Sequence, residues 1–152
     1  MWKKRKKDLQ KQKVYRAESL FIERLKDFHS IAFSGMFQNR TLSEIEIYCS
    51  DLIKSKWFQK RWPQVKDVAI INSKKQAASG VLRENTAKIR LSDNMRNKFI
   101  VLHELSHSCD NSKAAWHGTP FCRIFLELIR HKFGDSIFDI MKECFEEECC
   151  NI

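Results

Sequence analysis

The segment His103-Glu104-Leu105-Ser106-His107 constrains the fold of this 152-residue chain more than any other part of its sequence. Its two histidines are four positions apart, so they share one face, a turn above each other, only if the segment is an α-helix. The flanking sequence favours a helix, because 94–109 contains no Gly or Pro and Asp93 is a suitable N-cap residue. We therefore expect a helix over 94–109 with both imidazoles on one side.

This predicted helix carries two different faces. At about 100° per residue, one arc suits a core and holds Met95, Phe99, Leu102, Leu105, Ser106 and Cys109. The neighbouring arc holds Ile100, His103, Glu104 and His107. Packing does not explain two histidines around a glutamate on a face separate from the core stripe. We expect one side of the helix to pack in the core and the other to face a cleft.

The residue types on the second face are those of a hydrolytic zinc site. Neutral imidazoles suit Zn²⁺, so His103 and His107 are its candidate ligands. Glu104 lies on the flank of the same face, where its carboxylate can take a proton from a metal-bound water. His117 is the natural third ligand, which leaves a fourth position open for water, as catalytic zinc requires. The sequence thus predicts one Zn²⁺ per chain.

His117 is predicted to lie in a short turn between two helices. Metzincins carry a Gly three residues after the second histidine of the motif, and Asp110 at that position disfavours this class. The segment 110–116 has the composition of a loop, and Thr119 and Pro120 suit the N-cap and first position of a new helix. Gly118 would let the backbone turn before that helix.

These motifs carry a family resemblance. The first histidine motif followed by His117-Gly118-Thr119-Pro120-Phe121 resembles the SprT-like zinc metalloproteases, whose pattern is HExxH and then His-Gly-x-x-Phe. That group includes the Spartan-type proteases that cut DNA–protein crosslinks. Between about residues 10 and 140 the chain more closely resembles a family of small metallohydrolases of actinobacteria and phages, through the segments 12–18 and 101–105.

The resemblance implies a zincin fold with His103, His107 and His117 as zinc ligands and Glu104 as general base. Longer SprT-like proteins often carry a carboxy-terminal zinc ribbon with paired CxxC motifs. This chain has no CxxC, so a DNA-reading ribbon is not expected.

Composition predicts one globular domain over 1–152. The chain is 43% hydrophobic and 11% aromatic, which is enough for a core. No apolar run approaches the roughly 20 residues that span a bilayer. The segment 2–7, which is basic after Trp2, is followed by no apolar signal-peptide region, so we expect the protein in the cytoplasm, or in the host cytoplasm if a phage encodes it. The six cysteines are then expected to be reduced thiols, and the spacing of Cys144, Cys149 and Cys150 matches no standard zinc arrangement.

Net charge is +9, and much of it lies near the amino terminus. The basic block consists of Lys3, Lys4, Arg5, Lys6, Lys7, Lys11, Lys13 and Arg16. Such a block can contact nucleic-acid phosphates without sequence preference. The alternative is a solvated, frayed helix start over 1–8 that aids solubility. Asp8 is its only acid.

The order of predicted elements is helices, a small three-stranded sheet, the motif helix and two final helices, which is the α+β class. The expected helices at the amino-terminal end are 8–33, interrupted by Gly35, and 41–56, which opens with a Thr41–Glu44 capping box. The expected strands are 68–71, 78–82 and 88–91, the last two joined around Glu84-Asn85-Thr86. Further helices are expected at 94–109, at 120–133 with Gly134 as C-cap, and from Asp135. Strand 88–91 directly precedes the motif helix. It is therefore the candidate edge for binding an extended peptide, unless Lys88 and Arg90 only protect an ordinary edge.

The sequence predicts a zinc-dependent hydrolase, and most directly a peptidase acting on a protein or peptide substrate. Three alternatives stay open. The chain could be an ImmA-like regulatory peptidase, whose third ligand usually lies elsewhere. It could be a binding module that keeps zinc for structure, or a DNA-associated protein whose basic block matters more than its metal. Only Tyr15 and Tyr48 could supply a phenol to an oxyanion.

Overall fold

The computed structural model describes residues 5–152. Over these residues the protein is α+β with a three-stranded sheet, as predicted. It has seven α-helices where the sequence predicted five, and the sheet is mixed. The elements in chain order are α1 Lys11–Phe28, α2 Ser30–Phe37, α3 Leu42–Lys54, α4 Lys56–Arg61, β1 Asp67–Asn72, β2 Ala78–Arg83, β3 Thr86–Leu91, α5 Lys98–Cys109, α6 Thr119–Phe133 and α7 Asp135–Glu147. They form two compact units. One contains the described residues up to Ser34 together with Asp110–Ile152, and the other contains Gly35–Cys109.

The sheet lies in the unit Gly35–Cys109 and has the order β1-β3-β2. β3 pairs with β1 in parallel and with β2 in antiparallel orientation. The β2–β3 hairpin turns at Glu84 and Asn85, which have positive φ angles of 49° and 64°, the combination that a two-residue type I′ turn needs. β3 is therefore the central strand, and the prediction that 88–91 forms an edge was wrong. The parallel β1–β3 pairing is a long-range contact that local spacing does not reveal.

One face of this sheet is covered by helices. Along β3, Ala87, Ile89 and Leu91 are buried and alternate with exposed Lys88 and Arg90, as expected for a strand with one covered face. α3 packs against β1, and α5 packs against β2 and β3. The sheet therefore supports α5 from one side.

Two capping residues decide where α3 and α5 begin. At α3, the Thr41 hydroxyl accepts from the Glu44 backbone N–H at 3.1 Å and the Glu44 carboxylate accepts from the Thr41 N–H at 2.8 Å, which confirms the capping box. At α5, the Asn97 side chain accepts from the Ile100 N–H at 2.9 Å. The helix thus starts at Lys98 and not at residue 94.

Asp93 was predicted to cap α5, and this was wrong. It opens a short 3₁₀ turn, Asp93–Met95, and its carboxylate pairs with Arg96 at 2.7 Å. The Asp93 carboxylate therefore forms an ion pair within that turn, and Asn97 caps α5 instead.

In the other unit, α1 packs against α7, and α7 packs against α6. The first helical segment is interrupted at His29 (φ −142°, ψ 63°), whereas Gly35, the predicted interruption, lies inside α2. Gly134 ends α6 with a φ of 88°, as its predicted C-cap role requires.

The start of α6 also differs from the prediction. Thr119 is its first helical residue, and the N-cap is Gly118, with φ −73° and ψ −177°. These angles are open to any residue, so Gly118 supplies no left-handed turn.

All six cysteines are free, and five of them are buried, with Cys149 exposed. Among the helices of residues 5–152, none is both long and apolar enough to cross a membrane.

Candidate metal centre

Helix α5 carries two of the three predicted metal ligands, His103 and His107. The rings of His103 and His107 lie one turn apart, with centroids 5.0 Å from each other and an angle of 70° between their planes. Both side chains are buried, as is Glu104 between them. The expected contrast between a core face and an open face is not observed, because every residue of 101–109 is buried. The motif lies on a helix that is enclosed all round.

Gly80 on strand β2 is what allows the sheet to approach Glu104. A Cβ placed on Gly80 would lie 2.1 Å from the carbonyl oxygen of Glu104 and 2.7 Å from its carbonyl carbon. No side chain fits there, because both obstructing atoms belong to the backbone. The sequence predicted a strand over 78–82 but gave Gly80 no role at the site. A glycine inside a strand is nonetheless a recognised sign of close backbone approach.

His117 lies in the short turn before α6, as predicted, and its surroundings within its own unit are specific. Its Nδ1 is 2.6 Å from the Asp8 carboxylate oxygen Oδ2. Its carbonyl oxygen accepts a hydrogen bond from the Gln10 side chain at 2.8 Å. The rings of Tyr15 and Phe121 meet the imidazole edge-on, at centroid distances of 5.2 and 5.0 Å. The histidine is 5% exposed, so it is a fixed, buried side chain and not a surface loop residue.

The three predicted ligands come together. One potential ligand atom from each of His103, His107 and His117 lies within 4.8 Å of the other two, and the group could hold a metal ion. Ligand atoms around tetrahedral zinc, with bonds of about 2.0–2.1 Å, are roughly 3.4 Å apart. The three side chains are therefore candidates for binding one ion. The donor set is three imidazoles, which fits a borderline-soft divalent cation.

The amino-terminal basic block makes internal contacts in the part of the chain that the structure describes. The Arg5 guanidinium donates to the Asp110 side chain and carbonyl, each at 3.1 Å, and lies 3.8 Å over the Trp116 ring. Asp8 meets His117. Arg5 and Asp8 therefore make internal contacts, whereas Lys6 and Lys7 are exposed. Lys3 and Lys4 lie outside the described residues.

The two candidate phenols lie in different surroundings. Tyr15 is partly exposed and packs against the His117 ring. Tyr48 is on α3, and burial of its hydroxyl raises its pKa above the usual tyrosine value. Of the two, Tyr15 is the one beside a candidate ligand.

No family model, curated protein or solved structure gives a significant match to this chain. The resemblance to SprT-like proteases therefore rests on the motif residues themselves, and the function has to be argued from the site.

Proposed function

We propose that the protein is a zinc-dependent hydrolase with a zincin-type site, and that it cleaves peptide bonds. The observation that carries this proposal is the buried group of His103, His107 and His117, with Glu104 next to the first of them on the same helix. Three neutral imidazoles favour zinc over harder cations such as Mg²⁺.

The composition of the group favours catalysis over a structural role. Structural zinc sites are closed by four protein ligands, usually with several cysteines. Among residues 5–152, no fourth His, Cys, Asp or Glu joins the three histidines. Glu104 is outside the ligand group, which suits a residue that acts on water. The three-histidine set also supports the SprT-like interpretation over the ImmA-like one, whose third ligand usually lies elsewhere.

In the proposed mechanism His103, His107 and His117 would hold the ion. Zinc bound there would lower the pKa of the attacking water and polarise the scissile carbonyl. The Glu104 carboxylate accepts a proton from the attacking water and returns it to the nitrogen of the leaving amine. Burial of Glu104 keeps bulk water away from this proton transfer. The close approach of Gly80 fixes the backbone from which the carboxylate projects.

The strand β2 is the proposed site for an extended substrate. It is an edge of the sheet, whereas 88–91, the strand suggested by the sequence, is central. β2 packs against α5, so a peptide added to its outer edge by backbone hydrogen bonding would run near Glu104.

The proposal is tested by metal content and by a matched pair of glutamate variants. Elemental analysis should find one zinc per chain in the wild type and none in the His103→Ala/His107→Ala variant. Glu104→Gln keeps the side-chain volume but removes the base, so it should retain zinc and lose cleavage of a casein-like unfolded protein by about 10²–10⁴-fold. Glu23→Gln makes the same change on the exposed side of α1 and should cleave like the wild type.

Two outcomes would contradict the proposal. Equal cleavage by the wild type and Glu104→Gln would assign the activity to another mechanism or a contaminant. Zinc retained by the double histidine variant would place the metal elsewhere. Cleavage should be measured with and without single-stranded DNA, because a DNA-bound protein is one candidate substrate.

A further inference from the structure

We propose that Asp8 is a positioning residue for His117, holding its imidazole so that Nε2 is the nitrogen offered to the metal. This inference rests on the proposed metal site. It gives the amino-terminal segment a role that its basic composition does not suggest.

The chemistry of the two groups implies the direction of the hydrogen bond. Asp8 Oδ2 lies 2.6 Å from His117 Nδ1, and the two side chains are 17% and 6% exposed. An ionised carboxylate can only accept, so beside it the proton of a neutral imidazole sits on Nδ1. The lone pair is then on Nε2, one of the two ring nitrogens through which a histidine can bind a metal.

His117 needs such a restraint more than the other two ligands do. His103 and His107 are oriented by the backbone of α5, whereas His117 lies in a turn. Asp8 holds its ring, and Gln10 holds its carbonyl oxygen at 2.8 Å. Gln10 is itself fixed, since its Oε1 accepts from the Asn151 N–H at 2.7 Å.

The second carboxylate oxygen of Asp8 shows how much this side chain depends on His117. Oδ1 is buried and accepts no hydrogen bond from any residue in 5–152. Burying a carboxylate without full hydrogen bonding is costly, and His117 is the partner that offsets this cost. The carboxylate also makes the imidazole a stronger donor to a cation. Loss of such a partner typically lowers metal affinity by about 10–100-fold.

The experiment compares Asp8→Ala and Asp8→Asn with the control Glu148→Ala in the full chain. Glu148 accepts from Arg16 at 2.7 Å in the same unit, and this pair does not involve His117. Zinc affinity is measured by competition with a chelating indicator. Asp8→Ala should bind zinc about 10–100-fold more weakly, Asp8→Asn should fall between it and the wild type, and Glu148→Ala should match the wild type.

A second readout does not depend on metal or on activity. Long-range ¹H–¹⁵N NMR spectra of the metal-free protein report which ring nitrogen of His117 carries the proton. The wild type should show it on Nδ1, and Asp8→Ala should lose that preference. Asp8→Asn keeps the size of the side chain, so it serves if Asp8→Ala does not fold.

The outcomes separate the two proposals. If the wild type binds zinc and both Asp8 variants bind it equally well, the role of Asp8 is refuted while the metal site stands. A proton on Nε2 of His117 in the wild type would refute it as well. If the wild type binds no zinc, the metal site fails, and the positioning role fails with it.

Discussion

Gly80→Ala should strongly destabilise this protein, because the added methyl group separates the sheet from the helix that carries the histidine motif. The added Cβ would lie 2.1 Å from the Glu104 carbonyl oxygen. That distance is well below van der Waals contact, and the obstructing atom cannot move by rotating a side chain. Either β2 or α5 must shift.

The expected loss of stability depends on whether the obstructing atoms can move aside. Overpacking a core by a methyl group costs typically 1–3 kcal/mol when side chains can adjust. Here two backbones must separate, so we expect at least about 3 kcal/mol. For a protein of this size, that corresponds to a fall in melting temperature of roughly 6–12 °C.

Gly35→Ala is the matched control. It adds the same methyl group inside α2, where no atom lies within 4 Å of the new Cβ. Alanine is favoured over glycine in a helix, so this variant should be more stable by about 0.5–1 kcal/mol. Thermal and urea unfolding of both variants measure the difference. A Gly80→Ala protein as stable as the wild type would show that β2 does not pack against Glu104 as described.

Two further predictions concern stability. Thr41→Ala removes one half of the capping box at α3 and should lower the free energy of unfolding by about 1 kcal/mol, measured by urea denaturation; no change would mean that the cap is replaced by water. Burial raises the pKa of the Cys122 thiol from 9.0 to about 12. The unfolded chain therefore loses this proton at lower pH than the folded protein does. This thiol has no effect on the free energy of unfolding below pH 9, and above pH 9 it lowers that free energy by up to about 1.4 kcal/mol per pH unit. Cys122→Ala should flatten that fall between pH 9 and 10.5, and an unchanged slope would contradict the assignment.

The sequence correctly predicted the features that depend on interactions between residues close together along the chain. The i, i+4 spacing of His103 and His107 predicted their helix, Thr41 and Glu44 predicted a cap, and Glu84-Asn85 marked a hairpin. Each is a contact between near neighbours along the chain. Such contacts form whenever the residue types and spacing are right.

Competition between similar signals explains the errors. Asp93 and Asn97 are both good N-cap residues, and residue type alone does not choose between them. In the structure Asp93 pairs with Arg96, and Asn97 caps α5. Gly35 was expected to interrupt the first helix. A glycine inside a helix costs only about 1 kcal/mol relative to alanine, which is too little to end the helix by itself. The central position of β3 depends on its pairing with β1, which periodicity within a strand does not encode.

The contacts of the amino-terminal block change what its charge can do. Of the six basic residues in 5–16, three already serve internal contacts: Arg5 pairs with Asp110, Arg16 pairs with Glu148, and Lys13 donates to the Cys149 carbonyl oxygen.

Each lysine or arginine that neutralises a phosphate contributes to the salt dependence of nucleic-acid binding. Within the described residues, binding through this block would therefore rest mainly on exposed Lys6, Lys7 and Lys11. Its salt dependence should be correspondingly weak, and replacing Lys6 and Lys7 should leave zinc binding unchanged. Replacing Asp8 should instead weaken zinc binding and leave nucleic-acid binding unchanged. The composition of the block favours contact with a polyanion, whereas the contacts of Asp8 favour support of His117, and these two sets of variants separate the two roles.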